Sequence, residues 1–106
     1  MIMRKKDSII YNRQEVIKMA EKQYIFTFNS THHALMFEKA ANENNSNIIM
    51  MPVPRSIASS CGLAVKFSQE NYDEIVEIVK NKGLSYADLY RIEDFGGEKK
   101  YIKQDI

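Results

Sequence analysis

The sequence predicts an α/β (α+β) domain in which one antiparallel sheet lies under two helices, and three observations predict it. Four short runs rich in β-branched and aromatic residues are interspersed with two stretches of helix formers. Their order reads β-α-β-β-α-β, for which the economical solution is a split β-α-β arrangement, a ferredoxin-like sandwich with both helices on one face. At 106 residues, with 44% apolar and 27% charged side chains, the chain has room for one core and not for two.

Taken in order, residues 1–22 are the least regular. Ile9, Ile10, Val16, Ile17, Met19 and Ala20 have a rough helical spacing without a clean stripe, so an N-terminal extension, helical or disordered, is expected. Residues 23–92 carry the folded domain. Gln23 to Phe28 is a first strand whose Tyr24, Phe26 and Phe28 alternate as core aromatics, with no base-stacking role. Asn29 and Ser30 are capping residues for a helix from Thr31 to about Asn44. Ala34, Leu35, Phe37 and Ala41 form its expected buried stripe, with Glu38, Lys39 and Glu43 outside.

Ile48 to Val53 reads as the second strand, with Met50 and Met51 as core filler, and Pro52 and Pro54 force an irregular exit from it. Leu63 to Phe67 is the third strand. Ser68 then caps a second helix with Glu70 in its first turn, Tyr72, Ile75, Val76 and Val79 at helical spacing, and Gly83 as its stop. The fourth strand is expected over residues 88–92. Residues 93–106, with Gly96 and Gly97, are a tail or a short hairpin.

The stretch from Met51 to Leu63 gathers both prolines, the single cysteine and one of four glycines into a loop. Loops carry function more often than the elements they join. In the predicted topology the first and third strands are antiparallel neighbours. The end of the first, near Asn29, therefore meets the start of the third, near Gly62. That brings Ser30, Thr31, His32 and His33 within reach of Cys61 across some thirty residues of sequence.

Such an edge suits a thiolate. Free N–H groups and the positive end of the helix dipole favour an anion, and Arg55 or a protonated histidine acts in the same direction. Pro54 shapes the turn before it, Ser59 and Ser60 are hydroxyl donors for sulfur, and Gly62 leaves room for a partner's reactive atom. The alternative is that Cys61 is a small buried hydrophobe and that the histidines are capping or solvent-facing. His32 and His33, being adjacent on a helix, point about 100° apart and do not both face one site.

Several function classes are excluded or left without support. A net charge of +1 gives no nucleic-acid or acidic-membrane footprint, and Arg4, Lys5 and Lys6 read as a solvated end. No apolar run approaches the roughly 20 residues that span a bilayer, and no signal-peptide pattern opens the chain. With one cysteine an internal disulfide framework is impossible, which suits a cytoplasmic location. There is no Cys-x-x-Cys spacing for a metal, no phosphate loop and no Ser-His-Asp order. No metal and no cofactor are expected.

The stretches Phe26 to Leu35 and Pro52 to Val65 together resemble a small bacterial family, DUF3343, the selenium/sulfur carrier protein-like family. The similarity covers roughly Gln23 to Ile92. It implies that Cys61 carries a sulfur or selenium atom as a persulfide or selenosulfide, passed between donor and acceptor proteins by the logic of thiol–disulfide exchange. By position in the motifs, Cys61 is then the acceptor and Gly62 gives access, while Arg55 and the turn Ser30 to His33 stabilise the anion. A carrier of this kind needs an exposed cysteine and no resolving one. The Cys-Pro-x-Pro motif of other sulfur-transfer proteins is lacking.

Three readings follow. The first is the carrier. The second is a non-catalytic binding or assembly module, in which the loop 52–62 and the helix N-terminus 30–33 hold an anion or a protein partner. The third is an enzyme with a Cys61–histidine dyad, which requires an imidazole against the sulfur. A lone thiol also allows a homodimer.

Overall fold

A computed structural model describes residues 22–106; apart from Lys22, the expected N-terminal extension lies outside them. The elements are β1 (Gln23–Thr27), α1 (Thr31–Glu43), β2 (Ile49–Pro52), β3 (Leu63–Ser68), a 3-10 turn (Gln69–Asn71), α2 (Tyr72–Lys82), β4 (Asp88–Phe95) and β5 (Glu98–Gln104). The sheet has the order β2-β3-β1-β4-β5 with every described pairing antiparallel. The first four strands thus stand as a ferredoxin-like sandwich requires, β1 and β3 at the centre.

The register sorts the side chains onto two faces. Phe26 lies opposite Val65 on one side and Leu89 on the other, and all three face the helices in one core with Phe28, Phe37, Ile75 and Val79. The aromatic alternation of β1 does serve this core: the Phe26 ring lies 5.0 Å from Phe37, 5.6 Å from Phe67 and 4.9 Å from Tyr86. Ile25, Thr27 and Ala64, one residue out of phase, point to the opposite face and are buried as well. Met50 and Met51 follow the same rule. Met50 packs on the helix-side core, whereas Met51 pairs with Ala64 on the other face.

Ser30 caps α1, its hydroxyl accepting from the His33 N–H at 3.2 Å. The buried stripe is Ala34, Phe37, Ala40 and Ala41. Leu35, expected in that stripe, is instead 50% exposed beside an exposed Met36. The reason is helical phase: 35 lies about 200° from 37, so once 34, 37 and 41 face the sheet, 35 faces solvent. The second helix also begins later than expected. Ser68 precedes the 3-10 turn and makes no side-chain capping bond; α2 proper starts at Tyr72, with Asp73 and Glu74 in its first turn. Its end is as expected, Gly83 taking the left-handed conformation with its N–H on the Val79 carbonyl.

Strand β2 is a sheet edge and Pro52 is its last residue, a position where the missing N–H costs no ladder bond. At the other side β4 continues past Ile92 to Phe95. Gly96 and Gly97, with φ of 63° and 95°, then form the two-residue turn that returns the chain as β5.

Candidate functional site

The loop between β2 and β3 is closed at its neck by the Val53 N–H on the Gly62 carbonyl, at 3.1 Å, just beyond the Pro52–Leu63 pair. Pro54 opens a tight turn whose carbonyl accepts from the Ile57 N–H at 3.0 Å. Arg55 and Ser56 stand exposed at its corner, while Ile57 turns inward and is buried. Ser56, Ile57 and Ala58 form one wall of a cavity of about 290 Å³ against Tyr90, Lys99, Lys100 and Tyr101. Tyr90 lies in register with Ile25, and Tyr101 with Ile92, so the turn comes down on the sheet face away from the helices.

The loop then returns across the end of β1. The Ser60 hydroxyl donates to the Asn29 carbonyl at 3.2 Å. The Ser59 oxygen lies 2.8 Å from the Cys61 carbonyl and 3.3 Å from that of Phe28, and accepts from the Cys61 N–H at 3.3 Å. Its one proton serves the nearer carbonyl first. The expectation that Ser59 and Ser60 donate to sulfur is therefore corrected. Their short side chains are taken up by backbone groups, the ordinary use of serine in a turn.

Cys61 itself faces the helix side, within the core cluster, and is 4% exposed. The exposure that a carrier cysteine requires is not present in this conformation. Three groups lie against the sulfur, and two of them can donate to it: the Leu63 N–H points at Sγ from 3.4 Å, and the Thr31 Oγ1 lies 3.8 Å away. The Leu63 carbonyl is at 3.9 Å. A backbone N–H and a hydroxyl are groups able to support negative charge on sulfur.

The convergence expected from topology thus occurs, but through Thr31 alone. Ser30 is occupied in capping. His32 is exposed, and the His33 Nδ1 is buried without a hydrogen-bond partner among the described residues. Neither imidazole hydrogen-bonds the sulfur, so the Cys–His dyad is not assembled here. Thr31 and His33 lie on opposite flanks of α1, two residues or about 200° apart, which accounts for the difference. Arg55 forms no ion pair among the described residues and makes no contact with Sγ within hydrogen-bonding distance. Gly62 is exposed, and a Cβ there would meet nothing within 4 Å; the space beside the cysteine is open on that side. Among the described residues no three His, Cys, Asp or Glu side chains gather as a metal site, and no helix is long and apolar enough to cross a membrane.

Leu63 and Ile57 were not among the residues singled out from sequence. The Leu63 contact is a backbone one and leaves no trace in residue type. Ile57 had a signal, being the large apolar side chain in an otherwise polar turn.

Fold and site together define a small α+β domain that holds its single thiol at a sheet edge, between a helix N-terminus and a proline-rich loop. The chain belongs to the family described as Putative Se/S carrier protein-like, whose model matches residues 23–91, more than half of the sequence. No curated protein and no solved structure matches it.

Proposed function

We propose that this protein carries sulfur or selenium as a persulfide or selenosulfide on Cys61, between a donor and an acceptor protein. The observation that carries the reading is the meeting of Cys61 with Thr31 and the Leu63 N–H, at the junction of the two motifs that the family match spans. In the loading step the Cys61 thiolate attacks the terminal sulfur of a donor hydropersulfide. A new S–S bond forms on Cys61, the donor's S–S bond breaks, and the donor leaves as a thiolate. A thiol of the acceptor later attacks that same terminal sulfur and Cys61 departs as thiolate, so no net oxidant or reductant is consumed. With one cysteine in the chain, the loaded carrier has no internal thiol to discharge it.

The test is mass spectrometry of the folded protein after exposure to a small-molecule hydropersulfide. The reading predicts a gain of one sulfur atom on Cys61, reversed by excess thiol and absent in Cys61→Ser. No gain in the folded wild type, with gain after unfolding, would overturn it.

The burial of Cys61 favours a second reading, the binding or assembly module, in which the loop and the α1 N-terminus are a docking edge and the thiol is core. Cys61→Ser then keeps the cellular role, whereas the carrier loses it.

A further inference from the structure

We propose that the cavity between the 54–58 turn and the β4–β5 hairpin is a binding site for a small organic anion, an oxyanion head on an apolar body. It lies on the sheet face away from the helices, whereas Cys61 belongs to the helix-side core. The site therefore stands apart from the carrier reading, and neither depends on the other.

The cavity measures about 290 Å³, near the lower end for ligand pockets, which suits a small molecule. Ile57, Ala58, Tyr90 and Tyr101 bring apolar surface to it. Lys99 and the hydroxyls of Ser56, Tyr90 and Tyr101 bring donors, and none of these four side chains has a hydrogen bond or ion pair among the described residues. No aspartate or glutamate lines the cavity. Spare hydroxyls and an ammonium without a carboxylate between them favour negative charge.

The register shows why Lys99 is spare. Lys99, Tyr101 and Lys103 alternate onto this face of β5, opposite Asp94, Ile92 and Tyr90 of β4. Lys103 is committed to Asp88, Nζ to Oδ1 at 3.5 Å. Asp94, across from Lys99, instead accepts the Gly97 N–H at 2.9 Å and so closes the hairpin turn. Lys100 is one residue out of phase and holds its ammonium 5.7 Å from the centre of the Phe95 ring, on the other face. Arg55, the exposed chain neighbour of Ser56, adds a second positive charge nearby. A lysine on an edge strand such as β5 ordinarily guards against strand pairing. What sets Lys99 apart is the walled cavity beside it, with three unused hydroxyls.

The probe is phenyl phosphate, titrated into the full folded chain and followed by amide chemical shifts. Benzoate, phenol and inorganic phosphate are separate arms. Saturable shifts are expected at Ser56, Ile57, Ala58, Tyr90 and Tyr101. Phenyl phosphate or benzoate should bind about tenfold more tightly than phenol or inorganic phosphate, and the tighter of the two identifies the head group. Lys99→Gln should weaken that binding about tenfold, as loss of a charge-assisted bond does, and Tyr101→Phe a few-fold. Lys100→Gln should change it by less than about twofold, since its charge lies on the far face and is screened. Shifts that never saturate, or that phenol reproduces at the same concentration, would overturn the site. So would a folded Lys99→Gln protein that binds as the wild type does. Equal weakening by Lys99→Gln and Lys100→Gln would also overturn it, since that pattern is general attraction to a basic strand.

Discussion

Phe26 and Cys61 are both buried, and they are buried in different ways. Phe26 sits mid-sheet under two helices, its ring within 5.6 Å of three other aromatic rings. No single contact holds it, and none can be removed without leaving a cavity. Cys61 sits at the sheet's end, beside a loop joined to the body by the exposed Ser60–Asn29 bond and by the buried Ile57. The same low exposure therefore stands for two stabilities. The first is set by apolar area and is shared by the whole domain; the second is local and adjustable.

The contrast can be broken most sharply from the core side. Phe26→Ala should cost about 3–5 kcal/mol, the range for truncating a fully buried aromatic, seen as a large drop in the urea midpoint. It should raise Cys61 alkylation only in step with global unfolding. Ser30→Ala removes the cap that starts α1 beside the loop and should cost about 1 kcal/mol by the same measurement. A loss several times larger would mean that the edge is as integral to the fold as the core.

The glycines offer a finer cut. Gly83 holds φ at 60°, so Gly83→Ala should cost about 1 kcal/mol. Gly62→Ala should stay within about 0.5 kcal/mol, since its Cβ meets nothing. The smallest effect is one of pH. Burial first, then the neighbouring Tyr24, Asp73 and Tyr86, hold the Tyr72 phenol above its ordinary 10.0. The folded state keeps this proton where the unfolded chain has released it, so stability falls as pH rises beyond about 10. Urea midpoints at about pH 9 and about pH 11 should converge for Tyr72→Phe relative to wild type.

Much of the fold was legible because its signals are periodic. The alternation of Tyr24, Phe26 and Phe28 and the break at Gly83 are local, and the element order then limits the topology to few choices. Leu35 was misplaced because a helix of small residues offers more than one apolar stripe, and only packing of Phe37 against Phe26 and Phe28 selects the phase. The site was legible as a convergence and not as a set of contacts. Topology brings the 30–33 turn to the cysteine, but which side chain touches sulfur depends on helix rotation, which chose Thr31 over His33. The serines were read for their hydroxyls, whose partners proved to be main-chain groups, the Cys61 carbonyl for Ser59 and the Asn29 carbonyl just past β1 for Ser60. The burial of Cys61 was legible only as the general tendency of a free cysteine to sit among apolar side chains, the alternative weighed from its residue type.

The most direct test of this contrast is the dependence of Cys61 alkylation on urea below the unfolding transition. The expected rate is nearly flat in urea at low concentrations, because a local opening at the sheet's end exposes little new surface, followed by a steep rise as the whole domain unfolds. A rate that rises throughout with the full slope of global unfolding would contradict it, and would make Cys61 part of the same core as Phe26.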